Sequence, residues 1–114
     1  MAVEFKNGVI RDGGRCVGNI KNDVIREGTS SYAGSGRCVG NIKNDVIREG
    51  TSSYAGSGRC IGNVKGGVVK KGTSSYAGSG SNVGKAKDYS IKGAEYMDEA
   101  AKVACYHFLV KRIF

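Results

Sequence analysis

The segment RCVGNIKNDVIREGTSSYAGSG fills Arg15–Gly36 and recurs without a change at Arg37–Gly58. An altered third copy, RCIGNVKGGVVKKGTSSYAGSG, fills Arg59–Gly80. Tandem copies of one unit favour equivalent environments, so the chain is expected to fold as an array of similar pieces.

A shorter pattern runs wider than the 22-residue unit. It reads apolar–Lys–turn–apolar: FKNGVI at Phe5–Ile10, IKNDVI at Ile20–Ile25 and Ile42–Ile47, VKGGVV at Val64–Val69, and AKDYSI at Ala86–Ile91. Its lysines, Lys6, Lys21, Lys43, Lys65 and Lys87, are spaced by 15, 22, 22 and 22 residues. The chain therefore holds five units, at about 1–14, 15–36, 37–58, 59–80 and 81–93, the first shortened and the last diverged.

Each unit reads as a β-hairpin. Asn7-Gly8 is the preferred pair for a two-residue type I′ turn, where both residues take positive φ. Asn22-Asp23, Asn44-Asp45 and Gly66-Gly67 occupy the same place, and Asp88-Tyr89 fits it worst. A two-residue loop sets the register, pairing Lys6 with Val9, Phe5 with Ile10 and Glu4 with Arg11. Alternation then puts Cys16, Gly18, Ile20 and Ile25 on a buried face. Val17, Asn19, Lys21, Val24 and Arg26 fall on a half-polar face expected to meet water. Between hairpins, Gly28, Gly34 and Gly36 mark a bend and a turn, and SSYA between them is expected to extend as strand.

The C-terminal segment loses the glycines and the alternation. A helix is expected from Met97 to Leu109, with Asp98 and Glu99 in its first turn and Lys111 and Arg112 near its end. Met97, Ala101, Ala104, Cys105, Phe108 and Leu109 form its apolar stripe. A ring of hairpins buries one thin face, and this helix is the candidate to cover or plug it. The expected fold is mainly all-β, a single domain over residues 1–114 in which about five hairpins surround an axis capped by the helix.

These units resemble the bacterial β-flower proteins, whose hairpins stand around a pseudo-symmetry axis in four- and five-fold forms. The residues that carry the resemblance are Gly14-Arg15 with Val17-Gly18 and Ile20, Gly36-Arg37 with Val39-Gly40 and Ile42, and Gly58-Arg59 with Ile61-Gly62 and Val64. GSNVGKA at Gly80–Ala86 keeps Val83-Gly84. The resemblance covers nearly the whole chain, which departs from the pattern by inserting GTSSYAG between units. It implies a fold and no activity.

Eighteen basic against ten acidic residues give a net charge of +8, enough to attract nucleic acid or anionic lipid non-specifically. The charges are dispersed, so a specific nucleic-acid site is not expected. MAVEFKNGVI shows no basic region followed by an apolar one, and no apolar run approaches the roughly 18 residues of a membrane span. A cytoplasmic location is expected for the chain as it stands, and an exported one if a leader was removed.

Several residues invite chemistry. Cys16, Cys38 and Cys60 are repeat-equivalent, with Cys105 on the helix, but no CxxC pairs them and neither a metal nor a cofactor is expected. His107, the single histidine, could serve an enzyme only with Cys105 or a serine beside it. GSGRCVG lacks the Gly-Lys-Ser/Thr ending of a phosphate loop. Tyr32, Tyr54 and Tyr76, with Arg37 and Arg59 nearby, either stack on a ligand or pack between units. The expected function is a non-enzymatic structural or interaction module, with a protein partner or a second copy of the chain as candidates. The alternative is a binder of glycan or polyanion through these loops.

Overall fold

A computed structural model describes residues 3–114 of the chain. Nine strands form one antiparallel sheet in which each pairs with the next in the chain. They are β1 (Val3–Lys6), β2 (Val9–Asp12), β3 (Arg15–Lys21), β4 (Val24–Glu27), β5 (Arg37–Lys43), β6 (Val46–Glu49), β7 (Arg59–Lys65), β8 (Val68–Lys71) and β9 (Ser81–Lys85). One helix, α1 (Glu99–Leu109), packs against β3 to β7. The mainly β architecture and the covering helix agree with the sequence reading, and α1 begins two residues later than expected.

The turns are local chemistry made visible. Asn22 and Asp23 have φ of 53° and 64°, and Asn44 and Asp45 repeat them at 53° and 65°. Asparagine and aspartate tolerate this left-handed region better than other side chains do. The expected register follows, with Phe5 opposite Ile10 and Ile20 opposite Ile25. Where one hairpin meets the next, the ladder slips: Ile10 pairs with Gly18 but Arg11 with Cys16. Val17 is thus an extra residue, a β-bulge that bends the sheet. The same bulge recurs in the next three junctions, at Val39, Ile61 and Val83. It also breaks strict alternation, so Val17 packs against the helix-side core rather than facing water as expected.

That core gathers Ile10, Ile25, Ile47, Val69 and Ile91, equivalent residues of the five units. Complete burial of one such side chain contributes roughly 1.5–3 kcal/mol. From the other side α1 supplies Ala100, Ala101, Val103, Ala104 and Cys105, all buried. Small residues let the helix lie close to the sheet.

Larger residues of the C-terminal part occupy a row of glycines. A Cβ on Gly18 would come within 2.5 Å of Leu109. A Cβ on Gly40 would overlap the Phe108 ring, one on Gly62 the Phe114 ring, and one on Gly84 the Tyr89 hydroxyl. The four glycines are equivalent by repeat, whereas the groups that fill their places come from different parts of the chain.

Three expectations are corrected. The fifth hairpin does not form: after β9 the chain makes a 3-10 helix at Ala86–Tyr89. Tyr89 sits where the turn needs a left-handed residue, and its ring instead covers Gly84 while its hydroxyl donates to the Val83 carbonyl at 2.7 Å. Ile91 still reaches the core, and the Phe5 amide donates to the Lys92 carbonyl at 2.7 Å, so the free side of β1 is bonded within the same chain. Next, SSYA is not strand; β4 stops at Glu27 and residues 28–36 form bends and turns.

Part of the half-polar face does not meet water either, although Lys21 is exposed and Arg26 half-buried. Val9, Val24 and Val46 are 2 %, 2 % and 0 % exposed, and Asn19, Asn41 and Asn63 are fully buried. Each valine pairs in register with one of these asparagines, and each asparagine anchors an inter-hairpin loop. Val68 lies opposite Lys85, which holds no such loop, and it is only partly buried. The loops therefore make a second, thin core on the face away from the helix.

Gly40→Ala should lower stability by about 1–3 kcal/mol, because a methyl group must displace Phe108. Gly28→Ala, whose Cβ would meet only ordinary contacts, should change it by less than about 0.5 kcal/mol. Urea midpoints of the two variants against the parent chain check this.

Candidate functional site

The tyrosine loops are built from the asparagine upward. Asn41 donates from Nδ2 to the Ser57 carbonyl at 2.8 Å and accepts at Oδ1 from the Gly56 amide at 2.8 Å. Asn19 holds Ser35 and Gly34, and Asn63 holds Ser79 and Gly78, in the same way. Both ends of the carboxamide are satisfied, which is what a fully buried polar group requires. Within each loop a serine hydroxyl accepts from the tyrosine amide at 3.0 Å: Ser30 from Tyr32, Ser52 from Tyr54, Ser74 from Tyr76. Lys21, Lys43 and Lys65 lay their aliphatic stems along the loop glycines Gly34, Gly56 and Gly78.

Their exposure bears on one of the two sequence readings of the tyrosines. Tyr32, Tyr54 and Tyr76 are each 76 % exposed, so they do not pack between units. They stand on loops that share the asparagine clamp and the serine–tyrosine amide bond, each loop with a lysine stem along one of its glycines.

Arg37 and Arg59 lie elsewhere. They border two grooves at the helix end, neither of which includes a tyrosine of the loops. Arg59 joins Glu49, Cys60, Lys71, His107 and Arg112 around a cavity of about 290 Å³. Arg37 joins Glu27, Cys38, Glu49, Phe108 and Arg112 around a second one of about 320 Å³. Glu49 bridges Arg59 at 2.9 Å and Arg112 at 3.1 Å. The hydrogen bond from Arg112 holds its carboxyl below the usual range, partial burial opposes this, and Arg59 adds to the lowering. Sequence reasoning missed these grooves as sites, although Arg37 and Arg59 were singled out. The readable signal was Lys71, which stands where the earlier copies carry Glu27 and Glu49.

The cysteines separate. Cys38 and Cys60 line different grooves, and no cluster suited to a metal occurs among the described residues. Burial pushes the Cys105 thiol up to about 12, so it is protonated and shielded as well as fully buried. That removes it as a ready nucleophile for His107.

His107 has a structural task. It is 1 % exposed, and its Nδ1 accepts from the amides of Ile113 at 3.0 Å and Phe114 at 3.3 Å. This turns the chain back after α1 and brings Phe114 over Gly62. Burial chiefly, with Arg112 assisting and Glu49 opposing, lowers the imidazole to about 4.

No protein-family model, curated protein or solved structure matches this chain.

Asn41→Ala should cost about 1–3 kcal/mol by leaving loop groups unpaired. Hydrogen exchange should show lost protection in residues 50–58 and unchanged protection in β3, which checks that the clamp is local. His107 supplies a pH test. Its folded value, about 4, lies below the unfolded value near 6.5, so the unfolded chain binds the proton more tightly. Stability is full above about pH 6.5 and falls by about 2–3 kcal/mol as pH drops through the window to about 4. In His107→Asn, whose side-chain oxygen can replace the Nδ1 acceptor, denaturation midpoints should lose this part of the pH slope.

Proposed function

We propose that the protein is a non-enzymatic binding module of β-flower type whose three tyrosine loops grip a repetitive anionic polysaccharide. The observation that carries this reading is the presentation of Tyr32, Tyr54 and Tyr76 at equal, high exposure on loops each clamped by a fully buried asparagine. Large aromatic side chains left in water on rigid supports offer stacking area at little entropic cost on binding. The lysine whose stem lies along a glycine of each loop adds a charge for an acidic group on the ligand. Three copies of one weak contact suit a ligand that repeats, because each further contact is intramolecular once the first has formed.

Immobilised heparin and polyuronate are the probes for surface plasmon resonance at low and moderate salt. Binding should persist at moderate salt, fall about tenfold in Tyr54→Ala, and vanish when all three tyrosines are alanine. Binding that disappears with salt and ignores the tyrosines would reduce the interaction to the net charge of +8 and overturn the reading.

A further inference from the structure

The two grooves beside the helix end are copies of one another in the repeat, yet their charges differ. The one bordered by Arg37 is balanced, with Glu27 and Glu49 facing Arg37 and Arg112. In the one bordered by Arg59, the repeat's second glutamate is replaced by Lys71, and Glu49 alone faces Arg59, Lys71 and Arg112. Both Glu49 oxygens are already engaged, one by Arg59 and the other by Arg112. The lining therefore carries two uncompensated positive charges over an apolar floor that includes Phe114.

His107, a residue of the same wall, carries an unsatisfied hydrogen-bond donor. Because Nδ1 of His107 accepts two backbone amides, the neutral ring must carry its proton on Nε2. That Nε2 is buried and has no partner. A buried donor without an acceptor is costly, and an oxyanion is the acceptor that would also answer the excess charge.

We infer that this cavity binds a small dianion bearing carboxylate or phosphate oxygens. Arg59, Lys71 and Arg112 supply the counter-charge and the Nε2–H of His107 donates a hydrogen bond. A volume of about 290 Å³ suits a dicarboxylate or a phosphomonoester. None of the three loop tyrosines lines it, although Gly72 and Thr73 at the start of the third loop do. Its ligand would tie β7 and β8 to the C-terminal residues, since Arg59 and Lys71 belong to the sheet and Arg112 to the segment after α1.

The test titrates inorganic phosphate and succinate separately into the whole chain, following heat of binding and the His107 Nε2 resonance. Saturable one-to-one binding with a shift of that resonance is expected from at least one of the two. Phosphate alone saturating would assign the ligand to phosphomonoesters, and succinate alone to dicarboxylates. Lys71→Glu restores the residue of the earlier copies and should weaken binding by at least about tenfold, or about 1.4 kcal/mol, with an unchanged urea midpoint. Lys71→Gln should fall between the two, and Tyr54→Ala should leave the affinity as it was. No saturable binding of either probe, or equal affinity in Lys71→Glu, overturns the site.

Discussion

Seating one asymmetric helical segment on a row of equivalent glycines is the contact on which the rest of this structure depends. Gly18, Gly40, Gly62 and Gly84 recur in the sheet with the period of the repeat. What fills them cannot be periodic in the same way, because a single helix has no matching rotational symmetry. Leu109 and Phe108 come from adjacent positions on α1, Phe114 from the segment beyond it, and Tyr89 from the 3-10 helix before it. Each side chain takes space that a methyl group would deny. The perfect repeat in the sheet is thus compatible with an irregular C-terminal segment.

His107 links this packing to the groove chemistry. Its Nδ1 draws the last residues back so that Phe114 reaches Gly62, and the same turn places Arg112 beside Glu49. Arg112 then reaches both grooves, because Glu49 stands between them as partner of Arg59 and lining of each. One substitution, Lys71 for glutamate, makes these grooves unequal in charge, while His107 and Phe114 line one and Phe108 the other. A repeat scaffold holds position while single residues vary, and so equivalent places can take different chemistry.

The opposite face follows a different rule. There the symmetry is retained: three asparagines, three loops and three tyrosines in the same bonding. The glycines of those loops marked a bend and a turn, but SSYA between them was read as strand. The packing of the loops was not legible, because strand alternation assigned Asn19 and Val24 to water. A polar residue beside a valine is the ordinary sign of a solvated face, and nothing local announces that a loop further along will fold over it. The outward tyrosines were nominated as candidates, but a repeated aromatic is equally suited to a core.

The first four hairpins, their turns and the register within each were determined by the sequence alone. A two-residue turn is a local object, and Asn-Gly, Asn-Asp or Gly-Gly between apolar strands leaves little freedom in how it closes. The covering helix followed from its loss of glycine and its apolar spacing. Tertiary structure alone decided which faces are buried, how the fifth unit ends and what the grooves contain. These outcomes depend on contacts between residues tens of positions apart, such as Phe5 with Lys92 and Glu49 with Arg112. No single stretch of sequence specifies such contacts, because each joins segments that the intervening chain must first bring together.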